Sequence, residues 1–449
     1  MDNETVGKMI ISIIGGTREL GYWIARFLRK EGFRVIITGR DPDTGRSAAG
    51  RIGAKYCRDN VRAASLADVV VVSVPIEVTS DVLREVAPHV REGGLLMDVT
   101  SVKEEPARVM ERFIARGAHY IPAHPMFGPR VSSLEGQVVV LTPSGDNPWL
   151  DDVIRFLEER KARVIVTDPS THDRMMSVVQ VLTHFAYISI AATLEAEGVD
   201  IRESRKFASP IYNLMIDTIA RIVAQNPYLA YSIQTHNTYG QEMRDCFLRT
   251  ATRLNEMLRD GRMDDFVAGM GLAAKNIDDV EASLGRSDKA IEALNQELIV
   301  LRNSVGQEIG IKHIYSGRVH VGVLESVTPD YAMLRSGKRV MKFKISNIRV
   351  LSEEELRRWK VENLDLRVYD VSAVFSDSVD PEVIAHLIGL LDCVVDVKIV
   401  DLYRGPQIPP DHFSLTLRVK VFDRECYEEI LGVSEGYRCL NKVILTLSV

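Results

Sequence analysis

A histidine, a serine and a lysine stand just past predicted strands, where a reaction can be staged. The segment DVTSVK carries Asp98, Ser101 and Lys103 beyond one apolar run, and IPAHPMFGPR carries His124 between a strand and a Pro/Gly-rich turn. An imidazole titrates near neutral pH and suits a general base. A serine hydroxyl can orient such a base, and an ammonium can hold an anion. Ligands of open α/β sheets bind off the carboxyl ends of the strands. A lone loop histidine is more often structural than catalytic. Three such groups beside a nucleotide turn shift that balance toward catalysis.

The nucleotide turn is ISIIGGTRELGYW. An apolar strand runs into Gly15, Gly16, Thr17, Arg18, Glu19, Leu20 and Gly21, and an amphipathic helix follows. The pattern approaches G-x-G-x-x-G, with Arg18 in place of the middle glycine. Backbone N–H groups at that helix N-terminus would hold a pyrophosphate. Arg18 must then point outward, either as an extra phosphate contact or as a bystander. The next strand ends in Thr38, Gly39 and Arg40, where an acid would mark NAD. A guanidinium with a neighbouring hydroxyl suits a 2′-phosphate, so NADP is the expected cofactor. Asp41 and Asp43 just beyond keep NAD possible. A further strand ends at Val74 and Pro75, where the chain leaves the sheet on the cofactor face.

These groups need a scaffold. Up to Asp168 the chain alternates apolar strands such as DVVVVSV with helices such as ELGYWIARFLRKEG. That order predicts a doubly wound, largely parallel α/β Rossmann domain over residues 1–168. From 169 to 285 only helical patterns appear, and they carry more apolar positions than one stripe needs. An all-α substrate and dimerisation domain is expected there. A connecting helix follows at 286–310, in which Ile291, Leu294, Leu298 and Leu301 resemble a short coiled-coil seam. Period-two patterns with Gly and Pro-Asp turns predict a small β module at 311–358. The tail, 359–449, follows the order β-α-β-β-α-β of a ferredoxin-like α+β domain.

Six motifs occur in order: SVPIEVT, DVTSVK, HPMFGP, VLTHFAY, SPIYNLM and RIVAQNPYLAYSIQ. Over about residues 9–285 the chain therefore resembles the prephenate dehydrogenase family, in its archaeal and bacterial HPMFGP form. The resemblance implies oxidative decarboxylation of prephenate to 4-hydroxyphenylpyruvate in tyrosine biosynthesis, with NAD(P)+ accepting the hydride. It implies that His124 is the catalytic base, that Ser101 hydrogen-bonds that histidine and the substrate, and that Lys103 helps hold the substrate or nicotinamide. It assigns Arg221 to a substrate carboxylate and His184 to the substrate side. Where some relatives carry an acidic gate this chain has Arg130, which can add to anion binding. Tyr187 stands where many relatives have a second histidine. The nearest rival substrate is arogenate. A rival of another class is an inactive nucleotide-sensing or RNA-binding regulator.

The segment VDLYRGPQIPPDHFSLTLRVKVF in the tail is similar to the ferredoxin-fold anticodon-binding domain of the phenylalanyl-tRNA synthetase beta chain. A regulatory or assembly role is expected for it, with tyrosine as a feedback ligand. The tail lacks a basic stripe interleaved with aromatics, and the net charge of −6 gives no pull toward nucleic acid. Five scattered cysteines without a C-x-x-C pair argue against a disulfide framework or structural zinc and for a reducing cytoplasm. His119, His172 and His236 show no metal-ligand spacing and read as structural or solvated. The segment MDNETVGK lacks the character of a signal peptide, and no run of about 18 apolar residues predicts a membrane span. A homodimer through the helical domain is expected.

Overall fold

The computed structural model describes residues 9–391 and 393–422 together with Ile430, and it divides into two compact units, Met1–Val280 and Glu281–Val449. In the first unit, strands β1 (Ile10–Ile14), β2 (Arg34–Thr38), β3 (Lys55–Cys57), β4 (Val69–Val72), β5 (Leu95–Asp98) and β6 (His119–Tyr120) form one sheet of order β3-β2-β1-β4-β5-β6. Every pairing in it is parallel. All four residues of β4 are buried valines, as a sheet covered on both faces requires. Helices α1 (Glu19–Lys30), α2 (Pro42–Ile52), α3 (Asn60–Ser65), α4 (Ile76–Val86) and α5 (Glu104–Phe113) connect the strands. The order reverses between β1 and β4, whose carboxyl ends open a crevice for a ligand.

Two details differ from the expected strands. β3 was not expected, because Lys55–Cys57 is short and carries no apolar run. The stretch HYIPAHP makes two strands rather than one. β6 ends at Tyr120, and β7 (Ala123–Pro125) joins a second sheet with β8 (Val138–Leu141) and β9 (Arg163–Val166). Pro122 lies at the break and has no N–H for a ladder. β7 runs antiparallel to β8, pairing His124 with Val140. Helix α6 (Leu150–Glu158) connects β8 and β9.

The glycine turn has a steric explanation. Gly15 adopts φ +87°, and a Cβ there would sit 2.2 Å from the Ser73 carbonyl oxygen. A Cβ on Gly21 would lie 2.5 Å from the Gly15 carbonyl oxygen, so α1 packs directly on the turn. Arg18 has φ −144°, an extended conformation open to any side chain. The left-handed backbone falls one residue later, on Glu19 at φ +47°. The missing middle glycine is therefore tolerated because its position does not require one.

The helical part begins with α7 (Pro169–Met176), a π-helical turn (Ser177–Leu182) and α8 (Thr183–Ala196), then α9 (Ile201–Ser204), α10 (Pro210–Val223), α11 (Pro227–His236), α12 (Gly240–Arg259) and α13 (Met263–Lys275). α7, α10 and α11 share one start signal. Asp168, Ser209 and Asn226 cap them through side-chain oxygens, and proline opens each helix. The continuous stretch Pro169–Ala196, 28 residues containing an 18-residue window of mean hydropathy 1.5, is long and apolar enough to cross a membrane by length and composition. That departs from the expectation of no such segment. Its apolar residues are interrupted by polar ones, so no unbroken run marks it in the sequence.

In the second unit, α14 (Val280–Asn303) ends at a sheet of β10 (Glu308–His313), β11 (Val319–Val327), β12 (Tyr331–Ser336), β13 (Arg339–Lys344) and β14 (Ile348–Val350), in the order β13-β12-β11-β10-β14. The expected connecting helix is thus corrected at both ends: it starts earlier and stops at Asn303. Leu301 does not serve a free coiled-coil seam but is buried with Ile309, Ile311 and Leu324. The Leu294 side chain lies outside the described residues. α15 (Glu353–Asn363) starts with a capping box of Ser352 and Glu355, and spans the expected 358/359 boundary. β15 (Arg367–Ser376), α16 (Pro381–Gly389), β16 (Val394–Tyr403) and β17 (His412–Val421) follow in the expected order, with sheet order β15-β17-β16. The expected last helix and strand lie outside the described residues apart from Ile430. Cys57 and Cys246 are free thiols, and Cys393 is disulfide-bonded.

Gly15→Ala is expected to destabilise the protein by about 2 kcal/mol or more, through left-handed strain and the clash with Ser73. Chemical denaturation checks this, and an unchanged midpoint would contradict it.

Candidate active site

The carboxyl end of β5 and the start of β7 are joined by one buried cation. Lys103 and Asp98, both fully buried, form an ion pair. The Lys103 Nζ also donates to the Ala123 carbonyl at 2.7 Å, one residue before His124. Asp98 further accepts from the Thr100 backbone N–H at 3.0 Å and from the Thr100 hydroxyl. Burial pushes the Lys103 amine below its ordinary range, and Asp98 opposes that shift. A charge this deep must be paired, and all its hydrogen bonds go to protein. Lys103 is therefore a strut between two strands and not the expected substrate contact.

His124 is 3% exposed. Its Nδ1 lies 2.9 Å from Nε2 of His172, in the first turn of α7. The His172 Nδ1 lies 2.7 Å from the Asp173 Oδ1. The Asp173 carboxylate also accepts the backbone N–H of Lys103 at 2.7 Å and of Glu104 at 3.0 Å, at the N-terminus of α5. A carboxylate can only accept, so the His172 Nδ1 carries a proton. With that single proton on His172, its Nε2 accepts and His124 donates from Nδ1. That leaves the His124 Nε2 bare, in the form a general base needs. Burial chiefly holds the His124 pKa well below 6.5, and the nearby Lys103 charge lowers it further. The neutral base therefore persists at pH values where an ordinary histidine is protonated.

His172, expected to be structural or solvated, is the centre of this relay. The sequence signal for it was adjacent: a His-Asp pair opening a helix that follows the α/β domain. Asn237 secures the pair by donating to the Asp173 carbonyl at 2.7 Å. Gln180, also absent from the expected site, places its Nε2 3.4 Å from the His124 Nε2. His184, one turn further, is partly buried, and its Nδ1 has no hydrogen-bond partner.

Ser101 is half-buried and does not hydrogen-bond His124, whose ring nitrogens face His172 and Gln180. The expected serine-histidine contact is thus replaced by the His172 relay. Arg221 is exposed in the last turn of α10, and Arg130 is exposed beyond β7. No hydrogen bond joins either to the His124 cluster among the described residues.

The glycine turn fits a dinucleotide. A Cβ on Gly15 or Gly16 has no room, and α1 starts without a side-chain cap, which leaves its first N–H groups for a phosphate. Pro75 likewise opens α4 without a side-chain cap. Leu20 packs beside Trp23 and Leu134. Thr38 is corrected as a phosphate contact: it is buried, and its hydroxyl accepts from the Gly15 N–H at 3.2 Å. Gly39 is required because a Cβ there would sit 2.5 Å from Thr17. Asp41 spends its carboxylate capping α2, accepting from Asp43 and Thr44. The Thr44 hydrogen bonds chiefly lower its pKa, and Arg18 adds the smallest share, which places that guanidinium's charge toward Asp41. Arg18 and Arg40 are both exposed.

Residues 24–166 match the family model described as prephenate dehydrogenase, nucleotide-binding domain, and residues 168–272 match prephenate dehydrogenase, dimerization domain. The chain is 44% identical over 423 residues to a "Probable arogenate/prephenate dehydrogenase" of Methanocaldococcus jannaschii, covering 93% of this chain and 94% of that one. It is 32% identical over 228 residues to the "T-protein" of Haemophilus influenzae, covering 51% of this chain and 55% of that protein. The crystal structure of prephenate dehydrogenase from A. aeolicus, in complex with hydroxyphenyl propionate and NAD+, superposes with a TM-score of 0.48 at 19% identity. That match covers 60% of this chain and 96% of that one.

Asp173→Asn exchanges one of two acceptor oxygens for an N–H donor, so the side chain no longer fixes the His172 proton unambiguously while also serving the Lys103 and Glu104 N–H groups. Turnover is expected to fall about 10²–10⁴-fold with the fold retained. Turnover within twofold of wild type, in a variant with an unchanged melt, would show that the relay is idle.

Proposed function

The chain belongs to the prephenate dehydrogenase family, and we propose that it converts prephenate to 4-hydroxyphenylpyruvate with NADP+ as the preferred acceptor. The observation that carries this reading is the buried imidazole of His124, held through Nδ1 by His172 and, through it, by Asp173. Prephenate carries a hydroxyl at ring C4. His124 takes the hydroxyl proton at Nε2, and the C–O bond gains carbonyl character as the C4 hydride departs. The bound nicotinamide supplies the hydride acceptor. The ring carboxylate leaves as CO2, aromatisation drives the step forward, and the ring oxygen recovers its proton from His124. The protein must supply a base, anion contacts and alignment. Arg221, Arg130 and His184 are the proposed anion and side-chain contacts, and Ser101 remains a proposed contact to the substrate hydroxyl.

The reading extends to assembly. Phe207, Ile211, Tyr228 and Tyr231 are exposed on the helical part, which supports pairing of two chains through it. An inactive regulator is the weaker reading, since a base with its reactive nitrogen bare and its other nitrogen fixed is an arrangement that catalysis needs.

Purified protein should reduce NADP+ with prephenate faster than with arogenate. Faster turnover of arogenate would reassign the substrate, and no turnover of either acid would overturn the enzymatic reading.

The cofactor preference rests on Arg40. It is exposed at the β2 end, while the nearest acid, Asp41, is committed to capping α2. Arg40→Ala is expected to raise the KM for NADP+ about tenfold, roughly 1.4 kcal/mol, and to leave that for NAD+ unchanged. Equal effects on both cofactors would exclude a 2′-phosphate contact.

A further inference from the structure

The helix that carries His172 changes its winding just before the next site residue. α7 and α8 are continuous through Ser177–Leu182, but this turn is π-helical. A π turn inserts one residue into a helix and redirects the side chains by about 100°. Such turns are costly and cluster at functional sites. This one is anchored on its other side. Val181 is buried with Ile76, Val102 and Ile233, and its carbonyl accepts from the Gln234 side chain at 3.0 Å. With Val181 pinned there, Gln180 is directed to His124.

The contact it makes is incomplete. The Gln180 Nε2 is 3.4 Å from the His124 Nε2, long for a hydrogen bond, and the Gln180 Oε1 is buried without a partner. The relay leaves the His124 Nε2 as an acceptor, which sets the amide with its nitrogen toward the ring. A buried amide with an unused oxygen and a stretched donor is unfinished in the free protein. Hydrogen bonds of catalytic groups often tighten only when the ligand arrives.

We infer that Gln180 is a further catalytic residue, whose amide donates to the substrate's ring hydroxyl oxygen while His124 removes that hydroxyl's proton. The inference rests on the proposed reaction. The oxygen gains negative charge as its proton moves to the His124 Nε2, and a donor already in place favours that charge without reorganisation. The proton goes to His124 and returns to the ring oxygen as the ring becomes aromatic, the C4 hydride goes to the nicotinamide and the carboxylate leaves as CO2, so Gln180 gains and loses no atoms. In the free protein Gln180 keeps the base's reactive nitrogen aligned, and on binding its donor passes to the substrate oxygen.

The test uses the full chain with Gln180→Ala and the near-isosteric Gln180→Glu. Gln180→Ala should lower kcat about 10²-fold with little change in the KM for the cofactor. Wild type should bind 4-hydroxyphenylpyruvate more tightly than phenylpyruvate, which lacks the ring hydroxyl, and Gln180→Ala should lose most of that preference. In Gln180→Glu, a carboxylate beside the ring stabilises the imidazolium. The loss of activity on acidification, expected below pH 6.5 in wild type because the base must be neutral, should then begin at higher pH. Wild-type kcat and an unchanged ligand preference in Gln180→Ala would overturn the role of Gln180 and leave the proposed reaction standing. A wild-type protein that turns over neither acid would remove both.

Discussion

The structure of the site depends on the hydrogen-bonded run from Asp173 through His172 to His124. Each member has one competent arrangement. The carboxylate accepts, the middle ring donates at one nitrogen and accepts at the other, and the last ring is left with Nε2 bare. The run also joins separate pieces of chain. Asp173 takes two N–H groups at the start of α5, His172 lies in the first turn of α7, and His124 sits on β7. A shift of any of these elements alters the protonation pattern of the base as well as its position.

Burial makes the arrangement exacting. His124, His172, Asp173, Lys103 and Asp98 are all shielded from water, and each polar atom left without a partner there is costly. The Lys103–Asp98 pair meets that demand within the protein and fixes β7 against β5. Its charge also helps to keep the neighbouring imidazole neutral. One buried cation thus acts on both the geometry and the proton affinity of the base.

Much of the fold was legible because its signals are local. Apolar strand runs, cap-proline helix starts and the glycine turn each follow from a few adjacent residues, and the parallel sheet follows from their alternation. The site was legible only in part. His124 stands out because it ends a strand in a Pro/Gly turn. Lys103 was misjudged, since nothing in DVTSVK indicates that its side chain turns inward to an aspartate five residues earlier. His172 was passed over because its partner lies 48 residues away. Thr38 offered a hydroxyl at the expected place, but the Gly15 N–H had claimed it. Long-range pairing, and the direction a side chain takes once buried, are what the linear pattern withholds. The π turn at Gln180 is of the same kind, with no residue type that announces it.

The measurement that bears most directly on the central claim is the protonation state of His124 itself. Nitrogen-15 NMR of the imidazoles, with His124→Asn and His172→Asn spectra for assignment, distinguishes protonated from bare ring nitrogens. At neutral pH the account predicts His124 neutral, with a proton on Nδ1 and none on Nε2. A proton on the His124 Nε2 would contradict it, because the relay would then hold its base in the form that cannot act.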